Sequence, residues 1–158
     1  MFLEQYISSI NNTELKQTIG TTSTSFLQKM NRYLTNSQPL NALLLGNVQS
    51  GKTAQMLGII AAMADNGYKF FLLMTVDNVD LYRQTYNRVK ESLAGFNVLN
   101  EKEDILLTPV TLAKPTVVVI KKNARVLSRW KNQILNTDFC KGLFLVVLDD
   151  EADASSLN

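Results

Sequence analysis

Between the apolar run ending at Leu45 and a segment rich in Ala, Met, Leu and Ile stands Gly46-Asn47-Val48-Gln49-Ser50-Gly51-Lys52-Thr53. This octet constrains the fold more than any other feature of the chain. Its glycines allow consecutive backbone N–H groups to turn inward around an anion with no Cβ in the way. A helix starting at Lys52 would aim its positive end at the same anion. The spacing is that of a phosphate-binding loop, which requires a strand before it and a helix after it. In that setting Lys52 reaches the β- and γ-phosphates of a nucleotide, and the Thr53 hydroxyl ligates Mg²⁺. The expected nucleotide contacts are Gly46, Asn47, Val48, Gln49, Ser50, Gly51, Lys52, Thr53 and Ala54, with ATP and Mg²⁺ as cofactors.

The remaining pattern agrees with that requirement. Ala42 to Leu45 is a short strand candidate, and Lys52 to Asn66 has helical spacing that stops at Asn66-Gly67. Tyr68 to Thr75 predicts a strand and Val79 to Leu93 a helix ended near Gly95. Ile105 to Leu107 suggests a short edge strand in an irregular stretch. Thr116 to Ile120 predicts a buried strand, Ala124 to Leu135 a helix, and Leu143 to Leu148 a fourth buried strand. Apolar strands without alternation, separated by helices, argue a mostly parallel sheet covered on both faces, the doubly wound α/β class. Residues 1–38 read as a helical extension, with breaks at Gly20 to Ser25 and at Asn36 to Pro39. Residues 39–158 read as the nucleotide-binding lobe. Trp130, spaced with Val126 and Ile134, is expected in the core, as are Met56 and Met63.

The last predicted strand ends in Asp149-Asp150-Glu151-Ala152-Asp153. Acids at the carboxyl end of a parallel strand are where a metal is held beside a bound nucleotide. Phosphoryl chemistry needs one carboxylate for the metal and another group to orient or deprotonate the attacking water. Asp150 suits the first role and Glu151 the second. Asp150 follows Lys52 by 98 residues.

Several classes are excluded by what the chain lacks. It contains no histidine, which removes Ser-His-Asp, Cys-His and His-metal centres together. The single cysteine, Cys140, can form no internal disulfide, which fits a cytoplasmic setting, and the chain has no imidazole to activate it. The net charge of +2 means that nucleic-acid binding must be argued from local clusters. Met56 to Ala64 and the other apolar runs are too short to span a membrane.

Asp150-Glu151-Ala152-Asp153 spells DEAD, and with the phosphate loop it resembles the helicase superfamily of DEAD-box and DEAH-box ATPases. The match is closest to a prokaryotic branch tied to endonucleases and restriction systems, which has a similar Gln before Ser-Gly-Lys-Thr and a similar doubled aspartate. The resemblance covers residues 41–158. It implies the first of two RecA-like ATPase lobes, a three-layer sandwich, with the partner lobe absent from this chain. It also implies a nucleic-acid-dependent helicase or restriction-type translocase acting on DNA in preference to RNA, with slow hydrolysis by the isolated lobe. In such proteins Asp153 would couple the lobes. A stretch like that around Asn78, Arg83 and Gln84 touches the nucleic-acid backbone, although the usual Pro-Thr-Arg opening is missing here. Lys121, Lys122, Asn123, Arg125 and Arg129 form a basic group that could meet phosphates at the sheet edge.

A second reading is a regulatory or binding module that uses ATP as a switch. A small-molecule kinase is disfavoured because residues 96–115, where a lid would lie, contain no arginine.

Overall fold

The computed structural model describes residues 1–34, 38–44 and 51–150. The chain divides between Gly67 and Tyr68 into two compact units.

The first unit is helical: α1 (Phe2–Ser8), α2 (Thr13–Tyr33) and α3 (Lys52–Asp65). Asn12 caps α2, its side chain accepting from the Leu15 N–H at 2.8 Å. The expected break at Gly20 to Ser25 is not there, and α2 runs straight through it. Tertiary packing overrides the weak helix propensity of Gly-Thr-Thr-Ser-Thr-Ser. Ile19, Ser23 and Met30, buried at helical spacing, lie on one face of α2, and Ile19 and Ser23 pack against Gly58 of α3. Small residues let the two helix backbones approach closely. The interruption comes instead at Ser9 to Asn12, between α1 and α2.

α3 is the most apolar helix of the unit, with ten consecutive buried residues from Gln55 to Ala64. It ends as expected: Asn66 is its C-cap and Gly67 takes a φ of 90°, the left-handed conformation that glycine adopts without penalty. The strand expected at Ala42 to Leu45 is corrected over its described part, since residues 42–44 have no regular structure; Leu45 lies outside the described residues. Side chains here are largely exposed, Leu43 at 76%, so no burial favours an extended pairing.

The second unit is a four-stranded, all-parallel sheet in the order β2-β3-β1-β4. Its strands are β1 (Phe70–Thr75), β2 (Asn97–Leu99), β3 (Thr116–Lys121) and β4 (Leu145–Asp149); its helices are α4 (Val79–Ser92) and α5 (Ala124–Leu135). Central β1 and β3 read Phe-Phe-Leu-Leu-Met-Thr and Thr-Val-Val-Val-Ile-Lys, apolar on both faces as a doubly covered strand requires. On one face Phe70, Leu72, Val118 and Ile120 form a core with Trp130, and Val126, Leu127 and Ile134 of α5 pack against it. Phe71, Leu73, Val117 and Val119 point the other way and are fully buried. The chain leaves β1 toward β2 but leaves β3 in the opposite direction toward β4. Right-handed crossovers therefore put α4 and α5 on opposite faces, giving three layers.

Two sequence expectations are corrected in this unit. The edge strand is Asn97–Leu99; Asp104–Leu106 is instead a turn of 3₁₀ helix that turns Leu107 into the core. The last strand is shorter than Leu143 to Leu148 and is not buried throughout. β4 pairs only with β1 among the described strands, leaving Leu145 38% and Val147 50% exposed.

Candidate functional site

The described residues of the octet expected to bind phosphate belong to the first unit. Gly51 is the N-cap of α3 and takes φ 70°, ψ 32°, in the left-handed region. A Cβ at this position would also lie 3.0 Å from Leu15 Cδ1, so that side chain would have to shift slightly, and the left-handed φ is the stronger reason that glycine suits the position. Lys52 and Thr53 are the first two residues of the helix, and its hydrogen-bond ladder opens with the Gln55 N–H donating to the Gly51 carbonyl at 3.0 Å. The amides of Lys52, Thr53 and Ala54 thus belong to the helix start, where the dipole favours an anion. Gly46, Asn47, Val48, Gln49 and Ser50 lie outside the described residues.

α1 holds this helix at both ends. The Phe2 and Leu3 amides donate to the two carboxylate oxygens of Asp65, at 2.8 and 3.1 Å. The Tyr6 hydroxyl donates to the Ala54 carbonyl at 2.8 Å, one turn from Gly51. An aspartate near the end of α3 thereby caps the start of α1. Sequence reasoning missed this strap, because partners 48 to 63 residues apart leave no local pattern.

The acidic strand end belongs to the second unit. β4 delivers Asp149 and Asp150 at the carboxyl edge of the sheet, and the Asp150 N–H donates to the Met74 carbonyl at 2.9 Å. Lys122 follows β3, and its Nζ lies 2.8 Å from Asp149 Oδ1 and 3.2 Å from the Asp150 carbonyl. Glu151, Ala152 and Asp153 lie outside the described residues. No group of three or more acidic or cysteine side chains that could hold a metal occurs among the described residues. Mg²⁺ keeps most of its waters and asks for only one or two carboxylates together with substrate phosphates. Within the second unit Asp150 is the described carboxylate that the sequence singles out for this role, and within the first unit Thr53 is the hydroxyl.

The basic group after β3 is engaged in ion pairs. Lys121 Nζ lies 3.7 Å from Asp77 and 3.6 Å from Glu101. Arg129 lies 3.6 Å from Asp104 and also donates to the Glu101 carbonyl. Asn123 and Asn78 serve as helix N-caps: Asn123 accepts from Arg125 N, and Asn78 from Asp80 N and Leu81 N. Asn123 Nδ2 also donates to Asp77 at 2.9 Å. Arg125, Arg83 and Gln84 are exposed.

Glu101, which sequence reasoning did not single out, is the hub of this edge. Its amide donates to the Tyr82 hydroxyl of α4 at 3.0 Å, and its carbonyl accepts from Trp130 Nε1 of α5 at 3.0 Å. Glu101, two residues past β2, is thus pinned by a helix from each face of the sheet. Burial pushes the Tyr82 hydroxyl up from its ordinary pKa, against the opposing effect of the Glu101 amide. Burial likewise pushes the Cys140 thiol up from its ordinary pKa.

Comparison with protein-family models, with curated proteins and with solved structures returns no match. Among the described residues, no helix is long and apolar enough to cross a membrane.

Proposed function

We propose that this chain is the ATP-binding first lobe of a helicase-like, nucleic-acid-dependent ATPase. The observation that carries the reading is Gly51 in left-handed conformation at the start of α3, with Lys52 and Thr53 as the first helical residues. The motif spacing anticipates this strain-tolerant glycine and this helix register. The parallel sheet, with Asp150 just beyond the carboxyl end of β4, adds support. In this reading Lys52 neutralises the β- and γ-phosphates, the motifs offer the Thr53 hydroxyl and the Asp150 carboxylate as Mg²⁺ ligands, and Glu151 orients the attacking water. Bound Mg²⁺ would offset charge on the phosphate oxygens.

Titration calorimetry with Mg²⁺-ATP and ADP tests the reading. The wild-type chain is expected to bind, and Lys52→Ala at least about tenfold more weakly, the scale of one lost charge-assisted contact. Equal affinity in the two would remove the phosphate loop from the argument.

A second reading, an ATP-switched binding module that does not move on nucleic acid, draws on one observation. The basic side chains Lys121, Lys122 and Arg129 at the carboxyl edge are each paired with a carboxylate. DNA stimulation of ATP hydrolysis by the full-length protein supports the translocase; its absence supports the switch.

A further inference from the structure

We infer that Lys122 is a built-in cation that occupies Asp149, so that the aspartate pair does not chelate a divalent ion unaided and Asp150 takes the metal only together with nucleotide phosphates. Asp149 ends β4 and Asp150 follows it, at the carboxyl end of a parallel strand, where ligands of open α/β sheets are met. Here Lys122 Nζ stands 2.8 Å from Asp149 Oδ1, and the lysine side chain is only 13% exposed. At that distance and burial the ammonium competes directly with any metal for Asp149. The same ammonium donates to the Asp150 carbonyl at 3.2 Å, while the Asp150 amide donates to Met74 of β1 at 2.9 Å. The backbone of Asp150 is thus held from both sides. Lys122 reaches this position because the β3 backbone continues in register past β1: its own amide donates to the Thr75 carbonyl at 2.8 Å. A positioning lysine of this kind ties metal binding to nucleotide binding, which suits an ATPase that must not be loaded with metal alone.

The role of the metal rests on the proposed ATP reading, but the test is made without nucleotide, so the two fail separately. Mn²⁺ serves as the probe, with free ion counted by electron paramagnetic resonance in wild type, Lys122→Met, Lys122→Arg and the double variant Lys122→Met/Asp149→Asn. Methionine keeps most of the aliphatic stem and removes the charge. Nucleotide-free Mn²⁺ affinity is expected to rise about tenfold in Lys122→Met, the scale of one removed charge at contact range. Lys122→Arg should stay within about threefold of wild type, and the double variant should return to the wild-type value, assigning the gain to Asp149. A lysine that merely supports the fold would lower metal affinity or leave it unchanged on removal, and either result overturns the inference. A gain that survives Asp149→Asn overturns it as well. If Lys122→Met gains Mn²⁺ affinity while wild type binds no ATP, the pairing stands and the ATPase reading falls.

Discussion

Gly20 and Gly58 show how the same residue type acts in opposite ways according to its neighbours. Both are helical, yet a Cβ on Gly20 would meet only the Ile7 side chain at 3.7 Å. A Cβ on Gly58 would collide with Ile19 Cγ2 and come within 2.9 Å of Ser23 Oγ. Gly20→Ala is therefore expected to stabilise the protein by about 0.5–1 kcal/mol, through helix propensity and a less free unfolded chain. Gly58→Ala is expected to destabilise it by about 1–3 kcal/mol, because α2 must move. Urea unfolding midpoints of the two variants check the pair. A destabilised Gly20→Ala would show that α2 is interrupted there after all. Ser23, fully buried with no hydrogen-bond partner for Oγ among the described residues, is the cost of this close helix contact.

Among the elements, α3 depends most on a partner distant in sequence. Its first turn carries Lys52 and Thr53, while Tyr6 and Asp65 tie it to α1 near either end. Asp65→Ala removes the acceptor for two amides at the start of α1 and is expected to cost about 1–2 kcal/mol. Hydrogen exchange should show α1 amides losing protection first. If protection is lost evenly over the unit instead, Asp65 is not acting as a cap. The limits of α3, α4 and α5 were legible in the sequence because each has a local stop or start signal. Gly67 ends α3, Asn78 caps α4 and Asn123 caps α5. α2 was misread for the converse reason, since the partner that rewards its Gly-Thr-Ser stretch lies in α3.

For the whole molecule, the layers of the second unit are locked at Glu101, between Tyr82 of α4 and Trp130 of α5. Trp130→Phe keeps the apolar ring but withdraws the N–H from the Glu101 carbonyl. It is expected to cost about 1–2 kcal/mol, reduced by the Arg129 donor that shares the same oxygen. Thermal unfolding followed in the near ultraviolet measures this, and an unchanged midpoint would mean that Arg129 alone satisfies the carbonyl. By itself, the sequence determined the class of fold, the order of the helices and three of the four strands. It also supplied the candidate residues for phosphate and metal, because hydrophobic period and glycine spacing are local properties of a chain. Tertiary structure alone decided that β4 pairs only with β1 among the described strands, that Glu101 joins the two helical layers, and that Lys122 sits on Asp149. Those outcomes depend on which strand lies beside which, and hydrogen-bond register brings together residues that share no local pattern.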